Sequence, residues 1–267
     1  MVEMTRPLDQ NLLETVTALV AGLEHAQVRY CLIGALVPEL LLKTPPPRRT
    51  NDADAVVQVE TLEEFERVKS ALELEPYGFT RTRGPFRMER GPGRVDVLPY
   101  SEAIAPGGLL RIPPGTPYNM LGFDKVHRAQ TRVTIAGGPT VPLVTIPLYV
   151  LLKIVAYSDR REARDPASVL HCLLSYEEDS ERLYGVEHEG ALIDFDVAGA
   201  YLLGLDGRAL VDTPLTAAIV PILTQLSDPE SPLGFRTVHE YRRGDYSDRF
   251  RAHTARLFRA YLDGLGL

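Results

Sequence analysis

Residues 48–57 read Arg-Arg-Thr-Asn-Asp-Ala-Asp-Ala-Val-Val, and this stretch decides the fold of the first half of the chain. The two aspartates stand at the start of an apolar, β-branched run, which predicts a strand. Side chains two residues apart share a strand face, so Asp52 and Asp54 are expected to point into one space. Adjacent carboxylates repel each other, and a hard divalent cation such as Mg²⁺ relieves the repulsion. The pair therefore indicates a metal site.

The residues before this strand favour a phosphate ligand. An apolar run, Tyr30–Ile33, leads into Gly34-Ala35 and then into a helical pattern over residues 36–43. This order predicts a strand, a tight turn and a helix. A glycine lets the backbone approach a ligand closely, and a helix N-terminus behind the turn favours a phosphate. Gly34 and Ala35 are therefore candidate nucleotide-binding residues.

A second Asp-x-Asp sequence provides an internal control. Asp194 and Asp196 have the same spacing between apolar residues, but no strand, turn and helix precede them. We therefore expect this second pair to lie away from the site, in the helical second half of the chain.

A third carboxylate is needed for phosphoryl-type transfer, to bind a second metal or to take the proton of the acceptor. Asp96 is the candidate, because it is the one charge in the apolar sequence Val95-Asp96-Val97-Leu98. A charge in such a strand needs a partner or a metal. The alternative is an edge strand whose aspartate points into solvent.

Two charged residues follow in the second half. Lys153 interrupts an apolar helical run, so its side chain either extends along the surface or binds an anion such as a triphosphate. Asp165 precedes Pro166, which is typical of a helix N-cap. Its alternative role is a contact with Lys153 or with the nucleotide.

Composition bounds the class of protein. The 267 residues suit one large or two small domains, and a net charge of −7 argues against nonspecific DNA binding. The N-terminal segment lacks the apolar core of a signal peptide, and no apolar run approaches the roughly 18 residues of a membrane span. We expect a cytoplasmic protein with no membrane contact, in which Cys31 and Cys172 are reduced core thiols.

The order of patterns predicts an α+β fold. Strands dominate the first half and helices dominate after Pro147, so we place a head domain at residues 1–146 and a helical lobe at residues 147–267. Residues 101–122, rich in proline and glycine, are expected to form a loop. The C-terminal arginines form either a solvated helix face or an acceptor-binding strip. They are Arg242, Arg243, Arg249, Arg251, Arg256 and Arg259.

Taken in order, these features resemble the AbiEii-type nucleotidyltransferases of the DNA polymerase β-like nucleotidyltransferase superfamily. That family includes toxins of bacterial toxin–antitoxin pairs, some of which add nucleotides to the 3′ end of tRNA. The resemblance covers residues 28–175. It rests on Gly34-Ala35, Arg48-x-Thr50-x-Asp52-x-Asp54, Val95-Asp96, Lys153-x-x-Ala156, Arg160 and Arg164-Asp165.

The resemblance implies a polymerase β-like head, with a mixed sheet and flanking helices, followed by a helical lobe. It implies transfer of a nucleoside monophosphate from an NTP to a hydroxyl acceptor, with Mg²⁺ or Mn²⁺ as cofactor and an antitoxin protein as a further partner. Asp52, Asp54 and Asp96 would be the catalytic and metal-binding residues. The nucleotide-binding residues would be Gly34, Ala35, Arg48, Thr50, Lys153 and Asp165.

Two positions depart from the family pattern. Ala35 stands where a second glycine or a serine is usual, and Ser168 stands where a second aspartate is common. The acceptor could be tRNA or a small molecule, as in antibiotic-modifying nucleotidyltransferases. A third alternative is a nucleotide- or partner-binding protein of the same fold that has no catalytic turnover.

Overall fold

The structure is a computed structural model that describes residues 2–3, 7–112, 115, 117–178, 181–184, 194–242 and 247–267. The chain divides into two compact units, Met1–Leu40 with Arg48–Thr145 and Leu41–Pro47 with Ile146–Leu267. Within the described ranges, no helix combines the length and the apolar character needed to cross a membrane.

The first unit contains all the described strands. They are β1 (Val2–Glu3), β2 (Tyr30–Ile33), β3 (Asp52–Gln58), β4 (Thr80–Arg81), β5 (Arg87–Arg90), β6 (Gly93–Tyr100), β7 (Leu109–Leu110), β8 (Tyr118–Asn119), β9 (Gln130–Thr134) and β10 (Thr140–Val144). Eight strands form one mixed sheet in the order β1-β9-β10-β2-β3-β6-β5-β4, and β7 pairs with β8. Strand β3 runs antiparallel to β2 and parallel to β6.

Among its described residues, this unit also contains three α-helices: α1 (Gln10–His25), α2 (Leu36–Leu41) and α3 (Leu62–Glu73). The Asp9 side chain caps α1 by accepting from the backbone N–H of Asn11. Thr61 caps α3 in the same way, accepting from the N–H of Glu64 at 3.1 Å. Each cap satisfies a donor that a helix start would otherwise leave without a partner.

Helix α1 covers one face of the sheet. Gly93 opens β6, and a Cβ there would lie 2.9 Å from Cβ of Thr15 on α1. Val95 and Val97 share that face with Gly93, since alternate residues of a strand point the same way, and both are fully buried. The residues of even number on β6, Asp96 among them, therefore lie on the face away from α1.

The second unit is helical. Its helices are α4 (Ile146–Arg160), α5 (Arg164–Ser175), α6 (Ala198–Gly207), α7 (Thr213–Leu226), α8 (Pro232–Arg242) and α9 (Asp248–Leu265). Helices α6 and α9 cross where glycines meet: a Cβ on Gly204 would lie 2.8 Å from Cα of Gly264. Only glycine at both positions allows so close a crossing of two backbones.

The predicted α+β architecture, with a strand-rich first half and a helical second half, is confirmed. Helix α8 forms although glycine and β-branched residues weaken its intrinsic propensity, because burial of Leu233 and Val238 stabilises it. Two details differ from expectation. Strands β7 and β8 lie inside the expected loop 101–122. Residues 41–47 group with the helices, which no local pattern indicates.

The cysteines are free and buried, as expected. Burial raises the pKa of the Cys31 thiol to about 12, so it stays protonated at neutral pH.

Candidate metal and nucleotide site

Three half-buried aspartates share one face of the sheet. Asp52 and Asp54 are half-buried and alternate with the fully buried Ala53 and Ala55 along β3. In the parallel pair of β3 with β6, Asp54 lies directly opposite Asp96. Paired residues of neighbouring strands point to the same face, so all three carboxylates lie on the side away from α1.

Gly34 lies against the Asp54 carboxylate. It directly follows β2, where Ile33 pairs with Asp54, and has a φ of +75°. A Cβ on Gly34 would lie 2.7 Å from Cγ of Asp54, closer than any side chain can approach. Both the left-handed backbone and the close contact therefore require glycine. Ala35, the next residue, is half-buried.

Thr50 fixes the backbone of Asp52. Its hydroxyl accepts from the N–H of Asp52 at 3.1 Å and donates to the carbonyl oxygen of the same residue at 3.0 Å. These local bonds set the start of β3. Arg48, two residues earlier, is exposed.

Arg87 is a neighbour that sequence reasoning missed. Its Nε and Nη2 donate to the two carboxylate oxygens of Asp96 at 2.9 and 2.8 Å. The hydrogen bonds and charge of Asp96 raise the pKa of the Arg87 guanidinium, and the charges of Asp52 and Asp54 raise it further. A signal was available: Gly91-Pro92 links β5 to β6, and this two-residue turn places Arg87 opposite Asp96.

The residue types on this sheet face suit a divalent metal. Three carboxylates on one face offer the hard oxygen ligands that Mg²⁺ and Mn²⁺ prefer, and Gly34 lies against one of them. In the described parts of the chain, no group of three or more His, Cys, Asp or Glu side chains is gathered as a metal-ligand set. The two oxygens of Asp96 are instead held by Arg87.

Lys153 and Asp165 contact each other in the second unit. Lys153 Nζ lies 3.3 Å from Oδ1 of Asp165, which is fully buried. Arg160 binds the same carboxylate through Nε and Nη2, at 2.7 and 2.6 Å. Asp165 is not the N-cap of α5, because that position belongs to Ala163; the cap interpretation was wrong. Its carboxylate instead accepts hydrogen bonds from Lys153 and Arg160.

The second Asp-x-Asp pair belongs to the second unit and is bound to an arginine. Arg256 contacts Asp194 at 2.6 Å and Asp196 at 3.0 Å. Arg251 also pairs with an acid, Glu230 at 3.2 Å. At least two of the C-terminal arginines therefore form ion pairs on the surface of the helical unit.

No protein-family model matches the chain, and no curated protein matches it. Several solved structures are similar to it. They include the antibiotic-resistance factor ANT(2'')-Ia, at 14% identity and a TM-score of 0.36 over 57% of this chain and 75% of that one. An antigenic nucleotidyltransferase-like protein from Paracoccidioides brasiliensis has 19% identity and a TM-score of 0.40, over 80% of this chain and 96% of that one.

A third similar structure is the cyclic dinucleotide synthase CdnE from Elizabethkingia meningoseptica, with GTP and Apcpp. Its identity is 11% and its TM-score 0.30, over 97% of this chain and 93% of that one. Likenesses this distant do not carry a function, which must come from the residues of the site.

Proposed function

We propose that this chain is a divalent-metal-dependent nucleotidyltransferase that moves a nucleoside monophosphate from an NTP to a hydroxyl acceptor. The observation that carries the proposal is the set of three carboxylates on one sheet face, with Gly34 against Asp54. Acidic side chains beside each other repel, and nothing in the packing of a stable fold requires them there. A bound divalent cation would relieve this repulsion.

In this proposal, Asp52 and Asp54 would hold the metal, and Asp96 would complete the set. When bound, the metal would neutralise the phosphate charge and favour ionisation of the acceptor hydroxyl. The acceptor oxygen would form a bond to the α-phosphorus while the bond to the pyrophosphate oxygen breaks. The hydroxyl proton would pass to a site carboxylate. The chain would contribute mainly positioning and charge, as in other phosphoryl transfers.

For the acceptor, we propose the 3′ end of tRNA, and for the biological role, a toxin that a cognate antitoxin protein restrains. The support is the resemblance to AbiEii-type enzymes over residues 28–175. A small hydroxylated molecule is the alternative acceptor, and the test below separates the two.

The test is a transfer assay with the purified chain and Mg²⁺ or Mn²⁺. Each α-labelled NTP is incubated with total tRNA in one arm and with a panel of aminoglycosides in the other. The full proposal is supported if the unmodified chain produces labelled tRNA and Asp52→Asn does not. Label on the small molecule alone supports the transferase but overturns the tRNA acceptor.

Nucleotide binding without product in either arm, under conditions where binding is saturated, contradicts transfer to both acceptor classes. Asp194→Asn provides the matched control, since it removes one charge from the same kind of Asp-x-Asp sequence. It should leave the transfer rate within a few-fold of that of the unmodified chain.

A further inference from the structure

The Arg87–Asp96 pair occupies the carboxylate that would complete the proposed metal site. The pair is bidentate, at 2.9 and 2.8 Å, so both Asp96 oxygens are engaged. The two side chains are 43% and 30% exposed. Exposed ion pairs usually contribute little to the stability of a fold, but bidentate geometry makes this one stronger than most. The pair is therefore strong enough to occupy Asp96 and exposed enough for another cation to reach it.

The position of Arg87 is specific to the site. Strand β5 presents it to the same sheet face as the three aspartates, opposite Asp96 in the hairpin register. The charges of Asp52 and Asp54 also act on its guanidinium. Arg94 lies on that face too, opposite Asp52, but its side chain pairs with Glu89 at 3.7 Å. The two arginines thus carry equal charge on one face. Among the described contacts, only Arg87 makes a bidentate ion pair with an aspartate of the site.

We propose that Arg87 is the counter-cation of Asp96 in the metal-free protein, that a divalent cation competes with it for that carboxylate, and that the displaced guanidinium then binds a nucleotide phosphate. This inference rests on the proposed function. The guanidinium fork matches carboxylate and phosphate oxygens equally well, so the exchange needs no change in the chemistry of Arg87.

The proposal predicts opposite effects on two ligands. Arg87→Met frees Asp96, so Mn²⁺ alone should bind more tightly. The same variant removes a phosphate contact, so ATP in the presence of saturating Mn²⁺ should bind more weakly. A residue with only a structural role would shift both in the same direction or neither.

The experiment is a Mn²⁺ titration followed by the electron paramagnetic resonance signal of free Mn²⁺, with the full chain and no nucleotide. We expect Arg87→Met to raise Mn²⁺ affinity roughly three- to tenfold, the scale of losing one bidentate ion-pair competitor. Arg94→Met is the matched control, because it removes an equal charge from the same face. It should raise the affinity by clearly less.

An Asp96→Asn background separates direct competition from the general field of the arginine. If Arg87 acts by occupying Asp96, Arg87→Met should gain nothing once Asp96 is Asn. If the gain persists, the effect is a long-range one and the proposal is overturned. An unchanged Mn²⁺ affinity in Arg87→Met, or tighter ATP binding, also overturns it. Arg87→Lys keeps the charge without the fork and should bind Mn²⁺ with intermediate affinity, which guards against misfolding of the first variant.

The proposed function fails in a different way. It fails if Asp52→Asn leaves Mn²⁺ binding unchanged, because the metal then does not bind at this face, and the inference falls with it. If Asp52→Asn weakens Mn²⁺ binding but Arg87→Met leaves it unaltered, only the inference about Arg87 is overturned.

Discussion

At the scale of single residues, Gly34 brings the backbone against the Asp54 carboxylate of the candidate site. Its φ of +75° and the 2.7 Å approach of a Cβ to Cγ of Asp54 are separate reasons for glycine. Gly91 provides a natural control, because it has a φ of +54° and nothing within 4 Å of a Cβ. The two glycines share the backbone requirement and differ in the contact.

We therefore expect Gly34→Ala to cost more than Gly91→Ala. Gly91→Ala should lower the free energy of unfolding by about 1 kcal/mol, the cost of a left-handed alanine. Gly34→Ala adds displacement of the Asp54 carboxylate, so it should cost about 1–3 kcal/mol more and weaken Mn²⁺ binding. Urea unfolding and a Mn²⁺ titration measure both effects. Equal losses of stability and intact Mn²⁺ binding in both variants would contradict the close contact.

At the scale of helices, α4 and α5 are joined through Asp165. The two bonds from Arg160 are 2.6–2.7 Å long, whereas Lys153 lies at 3.3 Å. Removing Lys153 leaves the buried carboxylate with its stronger partner. Removing Arg160 leaves it with the weaker one.

Lys153→Met should therefore change the free energy of unfolding by less than about 1 kcal/mol, and Arg160→Met should lower it by about 2–3 kcal/mol. We also predict, from the sequence, that Lys153 binds nucleotide phosphate, so Lys153→Met should reduce turnover by ~10²-fold or more. Thermal unfolding and the transfer assay check the two parts. Normal turnover with a lower melting temperature would make Lys153 a structural residue.

His171 ties α5 to the segment of residues 41–47. Its Nε2 lies 3.1 Å from the carbonyl oxygen of Thr44, to which it donates, and its Nδ1 lies 3.4 Å from the hydroxyl of Tyr241. Burial lowers the pKa of His171, although the Thr44 carbonyl and the charge of Glu178 oppose this. The ring is therefore neutral in the fold under conditions where it is charged in the unfolded chain.

The sign of the pH effect follows. Below the ordinary histidine pKa of about 6.5, the unfolded chain binds a proton that the folded chain does not, so stability falls as pH drops. The pKa values of His127 and His253 are also lowered by burial and act in the same direction. Melting temperatures between pH 7.5 and 5 should fall more steeply for the unmodified chain than for His171→Asn. Parallel curves would show that His171 contributes nothing to this dependence.

The sequence was sufficient for some elements and not for others. The apolar, β-branched run that begins at Asp52 predicted the strand. The two-residue repeat of a strand then predicted the shared face of Asp52 and Asp54, because a strand places alternate residues together whatever surrounds it. The Arg87–Asp96 pair depends on the register of the β5–β6 hairpin, which the Gly91-Pro92 turn sets and which the properties of either residue alone do not indicate. The interpretation of Asp165 as a cap failed because α5 starts at Arg164. Local propensity cannot show that a buried carboxylate is held by two cations.

At the scale of the whole molecule, the proposed function requires that Asp52 and Asp54, and not Asp194 and Asp196, bind the metal. The chain carries a net charge of −7, so a general attraction for cations must be separated from a specific site. Asp52 and Asp54 belong to the first unit and are half-buried on one sheet face. Asp194 and Asp196 belong to the second and are bound by Arg256. Single substitutions in each pair change the net charge equally.

The most direct test is calorimetric titration of the chain with a non-hydrolysable NTP, with Mn²⁺ and then with excess chelator, for the unmodified protein, Asp52→Asn and Asp194→Asn. The account predicts metal-dependent binding that Asp52→Asn weakens by at least about 100-fold, as expected for loss of a charged ligand to a bound ion. Asp194→Asn should bind as the unmodified chain does. Binding that survives in Asp52→Asn, or that Asp194→Asn abolishes to the same extent, would contradict the central claim.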